Sequence, residues 1–232
     1  MKTVFSKTIF IIFSFIMGLN AFSGEKTVKV NDFTSITATG NYKVTLIKSA
    51  ESKVEIINND EKVTDEQILA EVEGAELVLK IKNDTYKQRD IEFIVYYIEV
   101  FELHAKRGAM MTTSDVFEHK KIDLSVNSGG RIVINVKANT VGVTIKNGGT
   151  IRLSGTTENA NYFISKGGNV AAFNLIATKV KAEVLFGGEI LLNVTKSLFA
   201  VVKSGGTIKY KGKPTEVDES IKLGGKIVKL DK

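Results

Sequence analysis

The chain has no cysteine and no tryptophan, one proline and two histidines among its 232 residues. Without cysteine there is no disulfide, no zinc–thiolate site, no cysteine nucleophile and no lipid-modified N-terminal cysteine. The two histidines, His104 and His119, fall in different segments with no acidic or cysteine partner at metal-ligand spacing, so neither a metal nor another cofactor is expected. No G-x-S-x-G elbow, P-loop or H-E-x-x-H stretch occurs, and with them go the local signatures of serine hydrolases, P-loop enzymes and zinc proteases. A lone proline, Pro214, leaves the turns to glycine and asparagine, and there are 20 glycines to make them. With 43% hydrophobic and 25% charged residues, the composition is that of a folded chain.

Twelve of those glycines come as doublets, at Gly129-Gly130, Gly148-Gly149, Gly167-Gly168, Gly187-Gly188, Gly205-Gly206 and Gly224-Gly225. Successive doublets are 19, 19, 20, 18 and 19 residues apart, a fixed period that marks a stacked-repeat architecture. The neighbours of each doublet repeat with it. Three places after the first glycine stand Ile132, Ile151, Val170, Ile190, Ile208 and Ile227, and three before it stand Val126, Ile145, Ile164, Val184, Val202 and Ile221. Five before it stand Leu124, Val143, Tyr162, Ala182 and Ala200, and only Glu219 breaks that column. Mostly polar residues alternate with the apolar ones, the period-2 pattern of strands with one buried face.

One repeat of this length cannot bury its own apolar face, so neighbours must stack. The expectation is an all-β chain built as a parallel β-helix-like stack of coils of about 19 residues, with the doublets as corners. Each β-branched column would then be a vertical file inside the core, with coils about 4.8 Å apart. The alternative is an antiparallel meander in which each doublet is a hairpin turn. The two differ in which residues meet: coils pair residues at offsets of one repeat, while hairpins pair residues mirrored about each doublet.

Residues 1–23 carry Lys2 and Lys7, no acid, an apolar run from Thr8 to Leu19, and Ala21-Phe22-Ser23 before the expected cut, which reads as a cleavable signal peptide. The run is too short to span a bilayer. Removing the segment would lower the formal charge from +6 to +4, and the rest, 24–232, reads as one domain exported beyond the cytoplasm. Within it, 24–100 is an irregular N-terminal part and 101–232 holds the regular repeats. Tyr42, Val44 and Leu46 alternate as a strand after Gly40-Asn41. Thr64 to Val72, with Thr64 as N-cap, Gln67 at the capping-box position and Gly74 beyond the end, predicts a helix of about two turns. Leu103, Ala105, Gly108 and Met111 read as a degenerate first coil, and Glu219 with the tail Lys229 to Lys232 puts charge on an open last coil.

The order Phe33-Thr34-Ser35-Ile36, Gly40-Asn41-Tyr42-Lys43-Val44-Thr45-Leu46 and then serial glycine doublets resembles the autotransporter adhesins with a head GIN domain, a secreted family common in Bacteroidetes. The resemblance covers about residues 28–230. It implies a right-handed parallel β-helix-like fold, an extracytoplasmic place in or on the cell envelope, and an adhesive role, and it carries no catalytic residues with it. Since the repeats run almost to the last residue, no translocator barrel is expected after them.

Four lysines, Lys146, Lys166, Lys203 and Lys222, stand one or two places before their doublets and predict a basic strip down one edge of the stack. Its partners would be anionic polysaccharide or an envelope surface. A solvated face that blocks edge pairing is the simpler reading of the same residues. Nucleic acid is not expected for an exported chain with no aromatics interleaved among these lysines. In the fourth repeat Leu185-Phe186 takes that place and predicts a subunit contact, so a homo-oligomer is one outcome. The alternative function is a polysaccharide lyase or glycosidase. Within the repeats Glu158, Glu183 and Glu189 are the acids it would use, and they do not share a column.

Overall fold

The computed structural model describes residues 24–230, so residues 1–23, which the sequence leads us to expect as a signal peptide, lie outside the described residues. These residues form strands and no helix. In the first half the strands are short: β1 (Gly24–Lys29), β2 (Ser35–Thr39), β3 (Lys43–Lys48), β4 (Lys53–Asn58), β5 (Ile68–Glu73), β6 (Glu76–Ile81), β7 (Ile91–Tyr97) and β8 (Glu102–Lys106). In the second half β9 (Met110–Asn127), β10 (Arg131–Asn147), β11 (Thr150–Lys166), β12 (Asn169–Phe186) and β13 (Glu189–Ser204) each run for most of a repeat. The last three are β14 (Thr207–Lys211), β15 (Glu216–Leu223) and β16 (Lys226–Lys229).

Successive long strands pair in parallel, with Ile132 beside Ile151, Ile151 beside Val170, Val170 beside Ile190 and Ile190 beside Ile208. The offset of one repeat is that of coils and rules out the hairpin meander. The chain is a β-solenoid of about seven turns. Buried residues fall in two stretches of each long strand: in β10 Ile132, Ile134 and Val136, then, with the inward parity reversed, Val141, Val143 and Ile145, and in β13 Ile190, Leu192 and Val194, then Leu198, Ala200 and Val202 with the parity kept. The stack therefore has one wall made of the segments after the doublets and another made of the segments before them.

Each doublet corner but the last, Gly224-Gly225, is closed by backbone hydrogen bonds to the coils on both sides. Gly148 N–H donates to the Lys166 carbonyl at 2.9 Å, and Thr150 N–H donates to the Gly130 carbonyl at 3.0 Å. The two glycines have different physical reasons. Gly148 sits at φ +70 with open space where a Cβ would go, so only its backbone conformation requires glycine. Gly149, at φ +115, also lies where a Cβ would be 2.7 Å from the Gly130 carbonyl oxygen and 3.0 Å from Val126. The first doublet differs: Ser128 and Gly129 take the positive φ values, 51° and 82°, while a Cβ on Gly130 would meet the Ala105 carbonyl oxygen at 2.2 Å.

The N-terminal part joins this stack out of chain order. β2 lies between β6 and β8, and β3 lies between β7 and β9, all in parallel. The sequence-first coil is thus inserted between two later ones, and its residues extend the same files, with Leu77, Ile36, Leu103 and Leu124 side by side in the wall before the doublets. Phe93, Val44, Met111 and Ile132 do the same in the other wall. The degenerate coil around Gly108 takes its expected place here. β5 on β6, and β4 then β1 on β7, are antiparallel and end the stack.

The helix expected over Thr64 to Val72 does not form. Gln67 Oε1 accepts the Thr64 N–H at 2.9 Å, so the capping contact is made, but it closes a turn from which β5 departs. Ile68 and Ala70 alternate inward and are buried against the core, and two turns of helix have less to bury than a strand paired along all of β6. Gly74, expected beyond a helix end, is the hairpin turn between β5 and β6, at φ +67.

Candidate functional site

Outward residues of the wall before the doublets form files as regular as the inward ones. One file runs Glu102, Asp123, Gly142, Asn161, Lys181, Phe199, and the next runs His104, Ser125, Thr144, Phe163, Glu183, Val201. Ser125, Gly142 and Thr144 are small, and where they meet the wall is hollow. A groove of about 720 Å³ results, lined from His104 on β8 to Lys181 and Glu183 on β12. Five neighbouring strands at about 4.8 Å spacing make it about 19 Å long. Gly142 lies midway, and a Cβ there would come within 2.3 Å of Asp123 Oδ1.

The charges around the groove are of both signs. Lys121 Nζ lies 2.7 Å from Asp123 Oδ2, and this hydrogen bond raises the Lys121 pKa. Lys203 Nζ lies 2.8 Å from Glu183 Oε1. Lys181 Nζ stands 5.7 Å from the Phe199 ring centroid, while Phe199 itself is exposed. His104 Nε2 is 3.7 Å from Glu102 Oε2 and sits beside Ser125 in register, yet no hydrogen bond joins the imidazole to the serine, so no nucleophile and base are assembled. The other histidine stacks on Phe101, ring centroids 4.8 Å apart, and lies 3.3 Å from Glu99. No group of three or more His, Cys, Asp or Glu side chains able to hold a metal ion is found among the described residues.

The four predicted lysines fall into two files. Lys146, Lys203 and Lys222 each follow a member of the file Ile145, Ile164, Val184, Val202, Ile221, and Ser165 and Leu185 occupy the two coils between Lys146 and Lys203. Lys166 belongs to the next file, with Asn147, Phe186, Ser204 and Leu223. Of the four, Lys146 lines the groove and Lys203 is paired with Glu183. Phe186 is 58% exposed and Leu185 half-buried, at the corner beside Lys166. The acids proposed for an enzyme are dispersed: Glu183 pairs with Lys203, Glu189 with Lys209 at 2.8 Å in the other wall, and Glu158 lies at the opposite bend. The groove itself was missed in the sequence. Its trace there is Gly142, a glycine outside the doublet register in a file of polar side chains.

The family model for the head GIN domain, described as a putative auto-transporter adhesin, matches residues 32–214. The chain belongs to this family. Among solved structures, the GIN domain is similar to a putative adhesin from Bacteroides fragilis, at 24% identity and a TM-score of 0.81, over 89% of this chain and 96% of that one. It is similar also to a protein from Parabacteroides distasonis described as a putative lipid binding protein, at 20% identity and a TM-score of 0.72, over 90% and 96%. A putative adhesin from Parabacteroides merdae matches at 19% identity and a TM-score of 0.68, over 90% and 96%. At these identities the likeness speaks for the fold of the GIN domain. No curated protein matches the chain.

Proposed function

We propose that this GIN domain is an exported, non-catalytic binding module at the cell envelope, and that the groove between β8 and β12 takes an extended anionic polysaccharide. The observation that carries this reading is the groove itself: a polar trough crossing five coils, floored by Ser125, Gly142 and Thr144, with Lys146 and Lys181 on its border. Neither lysine makes an ion pair with a described residue, whereas Lys121 and Lys203 beside them do. A linear polymer running along the stack axis would meet hydroxyl and amide groups on the three middle coils, from Ser125, Thr140, Thr144 and Asn161, and two cations on its flank. Adhesin membership of the family supports the extracytoplasmic place and the binding role.

The test is binding of polygalacturonate, as an acidic polysaccharide probe, to the full chain at low and high ionic strength. Affinity should fall as salt rises. Gly142→Leu should weaken binding roughly tenfold or more by filling the trough, and the only atoms it crowds closely are the end of the Asp123 side chain, whose exposed ion pair with Lys121 can rearrange, so the fold should be kept. Lys146→Glu together with Lys181→Glu should remove most of the salt dependence. Unchanged affinity in Gly142→Leu would remove the groove from the account. Release of unsaturated uronate ends during the assay would favour the lyase reading instead.

A further inference from the structure

The two files that end the core at β15 are left uncovered. Ile122, Val141, Ala160, Val180 and Leu198 are all buried, and Val217, next in that file, is 47% exposed. Val126, Ile145, Ile164, Val184 and Val202 are fully buried, and Ile221, next in theirs, is also 47% exposed. Leu223 on the same strand is 77% exposed. Among the described residues β15 pairs only with β13, so its other edge also offers a row of free backbone donors and acceptors. Between the apolar residues, Glu219 is held by a hydrogen bond from the Tyr210 hydroxyl.

We infer that β15 pairs antiparallel with β15 of a second copy of this chain, forming a twofold dimer at the uncovered end of the stack. The strand reads Glu216-Val217-Asp218-Glu219-Ser220-Ile221-Lys222-Leu223, acidic first and basic last, so that only an antiparallel partner of the same sequence meets it with opposite charge. With Ser220 on the twofold axis, Asp218 faces Lys222 of the other copy, twice, and Val217 faces Leu223, twice. Moving the axis one residue back, onto Glu219, would set two carboxylates against each other. β16, at the other wall, carries Lys226 and Lys229 without an acid, and its edge is blunted against the same kind of pairing. A head-to-tail filament is disfavoured because the exposed apolar residues of β15 have no counterpart at the opposite end: β1 and β5 keep a free edge there, but Val63 and Ile68 are buried.

The experiment is sedimentation velocity on the full chain over a concentration series, with charge-reversal variants. The wild type should reach twice the monomer mass as concentration rises. Asp218→Lys and Lys222→Asp should each weaken the dimer roughly tenfold or more by like-charge contact. The double variant, Asp218→Lys with Lys222→Asp, should restore it. Because the chain has no cysteine, Ser220→Cys supplies a second readout: opposed residues of an antiparallel pair lie within disulfide reach, so mild oxidation should give a single cross-linked dimer band. A wild type that stays monomeric throughout overturns the inference. So does a double variant no better than the singles, or a Ser220→Cys chain that fails to cross-link.

Discussion

At the β5 end of the stack the core is closed by three antiparallel strands and by Val63 and Ile68, buried at 5% and 4%, whereas at the β15 end Val217 and Ile221 remain 47% exposed. The strands at both ends come from the same apolar and polar alternation. What differs is how the chain is routed. The first part doubles back, inserts β2 and β3 between later coils, and spends β1, β4 and β5 on antiparallel closure. The second part climbs one coil at a time until it stops. A residue of a given type in a given file is core only if a coil lies on each side of it, so burial here is a property of position in the stack as much as of sequence.

The difference can be broken most sharply at the closed end. Arg89 donates to Asp84 Oδ1 from Nε and Nη2, at 3.0 and 2.9 Å, and lies 3.3 Å from Asp60, tying the β6–β7 connection to the segment that covers the core. The Asp84 side chain is 1% exposed, so Arg89→Ala would leave a buried carboxylate without its cation and should cost about 3–5 kcal/mol in urea unfolding. If the loss is below about 1 kcal/mol, this end is not held by the ion triad.

Two substitutions in the middle of the stack should cost nearly as much. Ile145 is fully buried, and Ile145→Ala should lose about 2–5 kcal/mol. Gly168→Ala combines φ +107 with a Cβ placed 2.6 Å from Ile145 Cγ2, and backbone strain with overpacking there should cost roughly 2–5 kcal/mol. Gly148→Ala meets no atom within 4 Å, and should cost only about 1–2 kcal/mol from its backbone conformation. Equal losses at Gly148 and Gly168 would show that the second glycine of a doublet is not chosen for packing.

The smallest effect should come from the open end. Ile221→Ala removes the same methyl groups as Ile145→Ala from the same file, yet with one side uncovered it should cost less than about 1 kcal/mol when measured on dilute monomer. A loss equal to that of Ile145 would mean that another segment already covers β15.

What the sequence made legible is the part where order in the chain and order in space coincide. The doublets and the columns Ile132 to Ile227 and Val126 to Ile221 could be read directly, because each coil contacts the next at a fixed offset. The place of β2 between β6 and β8 could not, since no period relates Ile36 to Leu77 and Leu103. Around Thr64 the local signal was real, as the Gln67 contact shows, but pairing of β5 along β6 outweighed it. Lys146, Lys166, Lys203 and Lys222 looked equivalent beside their doublets, while an offset of one residue puts Lys166 in another file. The groove escaped because a hollow is made by what side chains lack, and only the register sets Ser125, Gly142 and Thr144 side by side.

The most direct test of the coil architecture uses two double-cysteine variants of this cysteine-free chain, oxidised under mild conditions. Asn147 and Lys166 are partners across neighbouring coils, so Asn147→Cys with Lys166→Cys should close an intramolecular disulfide. Arg131→Cys with Lys166→Cys joins the positions that would face each other if Gly148-Gly149 were a hairpin turn, and it should stay reduced. Closure of the Arg131 pair, with the Asn147 pair left open, would contradict the stacked coils.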